Sequence, residues 1–368
     1  MAAYVGHVAE DDFRRDGSSG GLTTWVAREL LRRGDVDAVA HIHPVEDPDH
    51  DGRFFRYRLS RTGDELRSGA RSRYYPVEMS GILREILSTP GRYAVIGIPC
   101  FIKAVQLLRR EQPVVRERIR HTLGLFCGHM KSARFVESLA WQMGVGLQDV
   151  ERVEFRRKLE GRPASWYNAV LTLRDGRVVD RDWWHLVDGD WGAGFFMDAA
   201  CNFCDDVMAE TADVSFGDAW VEPYSSDWRG TNVVVVRSPR IASILSQGLA
   251  ENRLQLTEVD ADFVARTQAA GLRQRREGLA YRLAHHRGPI TPLKRVRPDA
   301  DTPTSQRRLV YRMRKTISAW THRVFRFARS FRVRALYIAW ARGALTTYHA
   351  VAYRRGRWGA LVSRLGLR

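Results

Sequence analysis

Two stretches decide the fold: Arg92-Tyr-Ala-Val-Ile-Gly-Ile-Pro-Cys100 and Thr122-Leu-Gly-Leu-Phe-Cys-Gly-His129. Each is a short apolar run that ends on a cysteine. Residues 92–98 and 122–126 have the length of buried strands, and residues 102–110 between them have helical spacing. Strand, cysteine loop, helix, strand, cysteine loop is the rhythm of a parallel sheet. Ligands of such sheets collect beyond the carboxyl ends of the strands, where Cys100 and Cys127 stand.

The pattern extends both ways. Residues 20–33 read as a helix on Leu22, Trp25, Val26, Leu30 and Leu31, and residues 37–43 and 54–59 as strands. Residues 168–173 and 177–179 flank Asp175-Gly176, a hairpin turn. Residues 212–216 and 232–237 are further strands, and residues 241–250 a helix. The fold class is therefore α/β, a mixed sheet with helices. Pro289, Pro292, Pro298 and Pro303 punctuate a loop that reads as a boundary. The body is expected at residues 1–290, with an N-terminal part over 1–90 and a C-terminal part over 91–290. A tail follows over 291–368.

Charge supports that division. The chain of 368 residues carries +17, with 59 Lys and Arg against 42 Asp and Glu. Residues 301–368 hold 16 bases and one acid, so the tail carries +15 and the remainder +2. The tail reads as a basic amphipathic helix with Trp320, Val324, Phe327, Phe331, Ala335, Ile338, Ala341, Leu345, Tyr348 and Ala352 at steps of three and four, broken at Gly343. Such a helix fits an anionic membrane surface or a partner protein. The apolar stripe disfavours nucleic acid, because phosphate binding needs none. There is no signal-peptide pattern and no apolar run of membrane-spanning length, so a cytoplasmic protein, peripheral at the inner face of the cell membrane, is expected.

Four cysteines do not make a disulfide scaffold in a chain this long. Cys201 and Cys204 form a C-x2-C pair, which can grip one metal centre. Spacing alone leaves open an iron–sulfur cluster, a zinc ion, or two structural cysteines with a chance pair. Ser18-Ser19-Gly20-Gly21 opens a helix and suits a phosphate or an ordinary N-cap.

The ordered series is more specific. Gly97-Ile-Pro-Cys100, Gly124-Leu-Phe-Cys127, Cys201-Asn-Phe-Cys204-Asp205 and Ala212-Asp-Val-Ser-Phe-Gly-Asp218 follow one another. Before them come Ser18-Ser19-Gly20-Gly21 and Ser68-Gly-Ala-Arg-Ser-Arg-Tyr-Tyr-Pro-Val77. Phe155-Arg-Arg-Lys158 and Gly230-Thr-Asn-Val-Val-Val-Val-Arg237 match later blocks. Over residues 18–238 the chain resembles the family of coenzyme F420 hydrogenase/dehydrogenase beta subunits. The resemblance implies an oxidoreductase holding a flavin, usually FAD (or FMN), beside a [4Fe–4S] cluster, with coenzyme F420 as a co-substrate and a redox partner protein. It implies Cys100, Cys127, Cys201 and Cys204 as cluster ligands. It implies Ser18, Ser19, Gly20, Gly21, Ser72, Tyr74 and Pro99 as cofactor-binding residues. His129, next but one to a cluster cysteine, is a candidate proton relay, and Lys158 a candidate for an acidic substrate or cofactor tail. Two departures stand out: Phe101 replaces the family's glutamine, and no N-terminal ferredoxin-like cysteine run is present. A second reading is a zinc- or cluster-stabilised interaction protein whose tail binds membrane or nucleic acid.

Overall fold

The computed structural model describes residues 1–356, 359 and 360; the remainder of the tail lies outside the described residues. Eleven strands are present among them: β1 Ala2–Val8, β2 Ala38–Pro44, β3 Phe55–Ser60, β4 Tyr93–Gly97, β5 Ile119–Leu125, β6 Val150–Lys158, β7 Tyr167–Leu173, β8 Val178–Asp182, β9 Val214–Asp218, β10 Asn232–Val236 and β11 Leu254–Glu258. Eight form one mixed sheet in the order β11-β1-β10-β9-β5-β4-β2-β3. Strands β2, β4, β5 and β9 run parallel to their neighbours in that row. β10, β1 and β11 extend the sheet antiparallel on one side, and β3 on the other. β6, β7 and β8 form a separate sheet of three.

Alternation along the central strands explains why the large sheet is covered on both faces. Ala94 and Ile96 of β4 face a core with Trp25, Leu30, Val39, Leu123, Phe216 and Ile244. Tyr93 and Val95 face a second core with Ile82, Ile86, Val105 and Val115. This period of two is the reason a nearly uninterrupted apolar run is needed. The helices Leu22–Arg32 and Pro239–Ala250 supply the first cover, and Ser80–Ser88 and Pro99–Glu111 the second.

The chain divides into two compact units. The first is Met1–Cys127, Glu151–Val170 and Asp206–Ala269; the second is Gly128–Val150, Leu171–Asp205 and Ala270 onward. The C-terminal helices therefore share a unit with residues 128–150 and 171–205, and the expected boundary at residue 290 is not a boundary between units. The tail is two helices, Ser305–Ser330 and Arg334–Tyr353. The break is at residues 331–333, where Arg332 has φ 56°, and Gly343 lies within the second helix. The buried stripe is offset from the expected one. It comprises Tyr311, Arg314, Ile317, Thr321, Phe325 and Ala328, while Trp320, Phe327 and Phe331 are exposed. Phe325 stacks on Trp141 at 4.4 Å and meets Phe196 and Tyr337 edge-on. Tyr337 donates to the fully buried Asp188, which also accepts from Ser138 and Gln142.

Candidate functional site

In the first unit the serine–glycine loop is built by close backbone approach. Gly21 sits at φ 84° before the helix Leu22–Arg32, and a Cβ there would lie 2.5 Å from the Phe13 carbonyl oxygen. A Cβ on Gly20 would lie 2.8 Å from the Gly6 carbonyl oxygen. These two glycines are thus required by packing, whatever else they do. Ser19 donates from Oγ to the Thr231 carbonyl (2.9 Å), and Asn232 Oδ1 accepts from the Leu22 N–H (3.1 Å).

Other sequence-identified residues converge on this loop. Ser18 Oγ accepts from the Ser72 N–H at 2.8 Å, tying residues 69–74 to residues 18–21. Lys158, at the end of β6, donates to the Ser19 carbonyl at 3.0 Å and to the Arg14 carbonyl. Burial, then Arg156 and Arg14, push the Lys158 ammonium down to about 7. It can therefore hold or release a proton near neutrality. Tyr74 is held far above its usual range by burial, with Tyr167 beside it. Arg156 pairs with Asp218 at 2.9 Å and lies 4.8 Å over the Tyr167 ring.

The same surroundings are cationic. Arg14 donates to Gly230 and pairs with Asp227 at 2.8 Å. Arg71 pairs with Glu154 and donates to the Asp16 carbonyl. Arg73 donates to the Ala70 carbonyl and lies over Phe55. Arg14 and Asp227 had no role in the sequence reading, and no local pattern marks either of them. For the pairing of Arg156 with the motif residue Asp218, the available signal was the alternation of β6, which puts Arg156 and Lys158 on one face.

Pro99 and Cys100 open the helix Pro99–Glu111 at the end of β4, and Cys127 follows β5, the parallel neighbour of β4. Pro99 is buried and Cys100 exposed. The Cys127 N–H donates to the Val207 carbonyl at 2.9 Å. Phe101 packs beside Tyr57, filling an apolar position where the family pattern has glutamine. Asp213 accepts from both the N–H and Oγ of Thr122 and fixes the start of β9.

In the second unit Cys201 and Cys204 lie at residues 199–204, a short helical turn and its cap. Cys201 Sγ accepts from the Met130 N–H at 3.3 Å, and burial raises its thiol above the usual range. Arg275 donates to the carbonyls of Cys201 and Gly128, so one guanidinium laces residues 128–130 to the C-x2-C turn. Arg282 donates to the Asn202 carbonyl at 2.8 Å. His129 is buried against Trp191, with ring centroids 4.5 Å apart. Arg314 donates to its Nδ1 at 3.2 Å, which assigns the ring proton to Nε2. Burial, then Lys131, Arg314 and Arg275, hold this imidazole neutral. Its Nε2 is buried and lacks a hydrogen-bond partner among the described residues, which leaves one N–H donor of this segment unused.

Among the described residues, no three or more His, Cys, Asp or Glu side chains form a cage for a single metal ion. A cubane separates its thiolates by about 7 Å, farther than the ligands of one ion. The surroundings suit such a centre: an N–H aimed at Cys201 Sγ, an unpartnered imidazole N–H, and guanidinium groups along the loop. The buried Trp183 stacks on the partly buried Trp191, while Trp184 is exposed. No helix among the described residues is long and apolar enough to cross a membrane.

Comparison with known proteins agrees with this layout. The F polypeptide of the F(420)H(2) dehydrogenase of Methanosarcina mazei is 24% identical over 140 residues, covering 38% of each chain. A chain of the F420-reducing [NiFe] hydrogenase complex from Methanosarcina barkeri, solved with xenon, superposes with a TM-score of 0.59. That likeness spans 79% of this chain and 96% of the other at 17% identity, and it carries the fold. Two family profiles for coenzyme F420 hydrogenase/dehydrogenase beta subunits also match, the N-terminal one at residues 3–84 and the C-terminal one at residues 91–262. With both halves matched over most of its length, the chain belongs to the family of coenzyme F420 hydrogenase/dehydrogenase beta subunits.

Proposed function

We propose that this chain is an F420-linked oxidoreductase that binds a flavin at residues 18–21 and 69–74 and a [4Fe–4S] cluster on Cys100, Cys127, Cys201 and Cys204. Family membership supports the F420-linked redox chemistry. The observation that carries the flavin part of this reading is the convergence of Ser18, Ser19, Ser72 and Lys158 on one loop. Bound there, a flavin supplies the exchange between two-electron hydride chemistry and one-electron carriers.

The chain's own residues have definite tasks in this reading. The loop at residues 18–21 and Ser72 hold the cofactor, Pro99 and Tyr74 shape its surroundings, and Lys158 holds or releases a proton at Nζ. The Met130 N–H is the donor to a centre held on the Cys201 loop, and His129 Nε2–H is a further buried donor of the same segment. Anaerobically purified full-length protein should contain flavin, iron and acid-labile sulfide, and should oxidise or reduce F420 with an artificial one-electron carrier. A colourless protein containing zinc would instead favour the interaction-protein reading. The physiological electron partner in this reading is a separate redox protein.

A second surface is favoured by one observation. Phe327 and Phe331 are 53% and 64% exposed with rings 4.5 Å apart, and Trp320, Val333 and Leu336 are exposed near them in sequence. Arg323 lies over the Trp320 ring, and Arg326 is exposed. An exposed aromatic patch among arginines suits an anionic lipid surface, where each Arg contributes about 1 kcal/mol. In this reading the protein is cytoplasmic and peripheral to the inner face of the membrane. Sedimentation with phosphatidylglycerol vesicles, absent with phosphatidylcholine and weakened by salt, tests it.

A further inference from the structure

Buried guanidinium groups are found in two settings. Arg156, only 6% exposed, is paired with the Asp218 carboxylate through two hydrogen bonds. That is the ordinary way to bury a cation, because an ion removed from water needs a counter-charge. Arg282 and Arg314 are as deeply buried, at 5% and 6%, and neither forms an ion pair with a carboxylate among the described residues. Arg282 donates to the Asn202 carbonyl, the Gln274 carbonyl and Gln274 Oε1. Arg314 donates to the carbonyls of Trp191 and Gly192, to His129 Nδ1 and to Met197 Sδ. These neutral acceptors satisfy the N–H groups without supplying a paired counter-charge. Asp190 acts favourably on Arg314 without pairing with it, and no carboxylate pairs with Arg282 among the described residues.

The two charges are not isolated. Burial and then Arg314 and Arg275 push Arg282 down to about 9, so these cations destabilise one another. Lys131, fully buried, donates to the Phe195 carbonyl and adds a further positive charge near His129 when protonated. The two nearby carboxylates act favourably on Lys131, and Asp190 also on Arg314. They form their hydrogen bonds with other groups, Asp188 with Ser138, Gln142 and Tyr337 and Asp190 with His349, and neither pairs directly with Arg282 or Arg314. What the arginines touch is the C-x2-C turn, through Asn202, and the segment after Cys127, through His129.

We infer that Arg282 and Arg314 are electrostatic positioning residues whose counter-charge is an anionic iron–sulfur–thiolate centre held in part by Cys201 and Cys204. This rests on the cluster reading above and extends it from the ligands to the residues that set the centre's redox potential. A thiolate-ligated cubane is negatively charged and gains a further negative charge on reduction, when one electron enters and no bond forms or breaks. Fixed positive charge in a dry surrounding favours the reduced form more than the oxidised one. The C-terminal helix Ser305–Ser330 thereby contributes Arg314 to the tuning of the centre, rather than serving only as an outer tail.

The test uses the full chain, reconstituted anaerobically, with iron and sulfide assayed first. Absence of iron from the wild type would overturn the cluster reading itself. With the wild type loaded, the midpoint potential is measured by redox titration with electron paramagnetic resonance detection for Arg314→Gln, Arg282→Gln, Arg314→Lys and Arg312→Gln. Arg312 is exposed on the same helix. The two buried Gln variants should lower the potential by the equivalent of at least tenfold in relative stability of the reduced form, about 59 mV for a one-electron couple. Arg314→Lys should keep most of the wild-type value, and Arg312→Gln all of it. Should a Gln variant fail to load, loading of Arg314→Lys would support the charge role and its failure would overturn it. Loaded Gln variants with an unchanged or raised potential would overturn the inference.

Discussion

Replacing Lys158 by methionine separates its charge from its shape. Wild-type Lys158 is mostly buried, donates to two carbonyls of the serine–glycine loop, and has its ammonium pushed from 10.5 to about 7 by burial, Arg156 and Arg14, with Asp218 opposing. Below pH 7 both the folded and unfolded chains carry the proton. Between 7 and 10.5 the unfolded chain binds it and the folded chain does not, so stability rises with pH across that window. From pH 6 to pH 8 the Lys158 contribution amounts to about 1 kcal/mol. Methionine removes this dependence. It also removes both donors, a pH-independent cost of roughly 1–3 kcal/mol for each carbonyl left without a partner. Urea unfolding at pH 6, 7 and 8 should therefore give a wild-type-minus-variant difference that grows by about 1 kcal/mol toward high pH. Parallel stabilities at the three pH values would refute a depressed Lys158, and with it the poised proton near the candidate flavin loop.

Asp218→Asn leaves Arg156 buried without its counter-charge and should cost roughly 3–5 kcal/mol, read as a fall in thermal midpoint. Ser18→Ala removes the acceptor of the Ser72 N–H, a loss of about 1 kcal/mol; the variant should fold while retaining less flavin after gel filtration. Gly20→Leu should instead abolish soluble expression, because its side chain meets the Gly6 carbonyl and Asn232. Phe327→Ser with Phe331→Ser should reduce sedimentation with anionic vesicles and leave the thermal midpoint unchanged, since both rings are exposed.

The parallel part of the sheet was legible because β4 and β5 are buried on both faces, which demands apolar runs that few other structures need. β1, β6 and β11 were harder. β1 and β11 pair across more than two hundred residues, as for Tyr4 with Val234 and Glu258, and no local pattern encodes such partners. β6 pairs with its sequence neighbour β7, but its many charged residues hide the strand period. Lys158 and Ser72 were visible as motif members, but their meeting with residues 18–19 is a product of the tertiary fold. The tail misled for a specific reason. Its aromatic residues lie on two stripes one residue apart, and charge drew attention to Trp320, Phe327 and Phe331 rather than to Tyr311, Ile317, Phe325 and Ala328. Arg314 belongs to the buried stripe, where an arginine breaks the apolar pattern and marks contact with something polar. Deleting residues 305–368 should therefore disturb the second unit as well as any membrane binding.

The most direct test of the central claim is cofactor analysis of the full-length protein purified without oxygen. An ultraviolet–visible spectrum with flavin bands and broad iron–sulfur absorption is expected, with iron and acid-labile sulfide in equal amounts and both lost when Cys201 and Cys204 are changed to serine. A colourless protein that contains zinc, or neither metal nor flavin, would contradict the account.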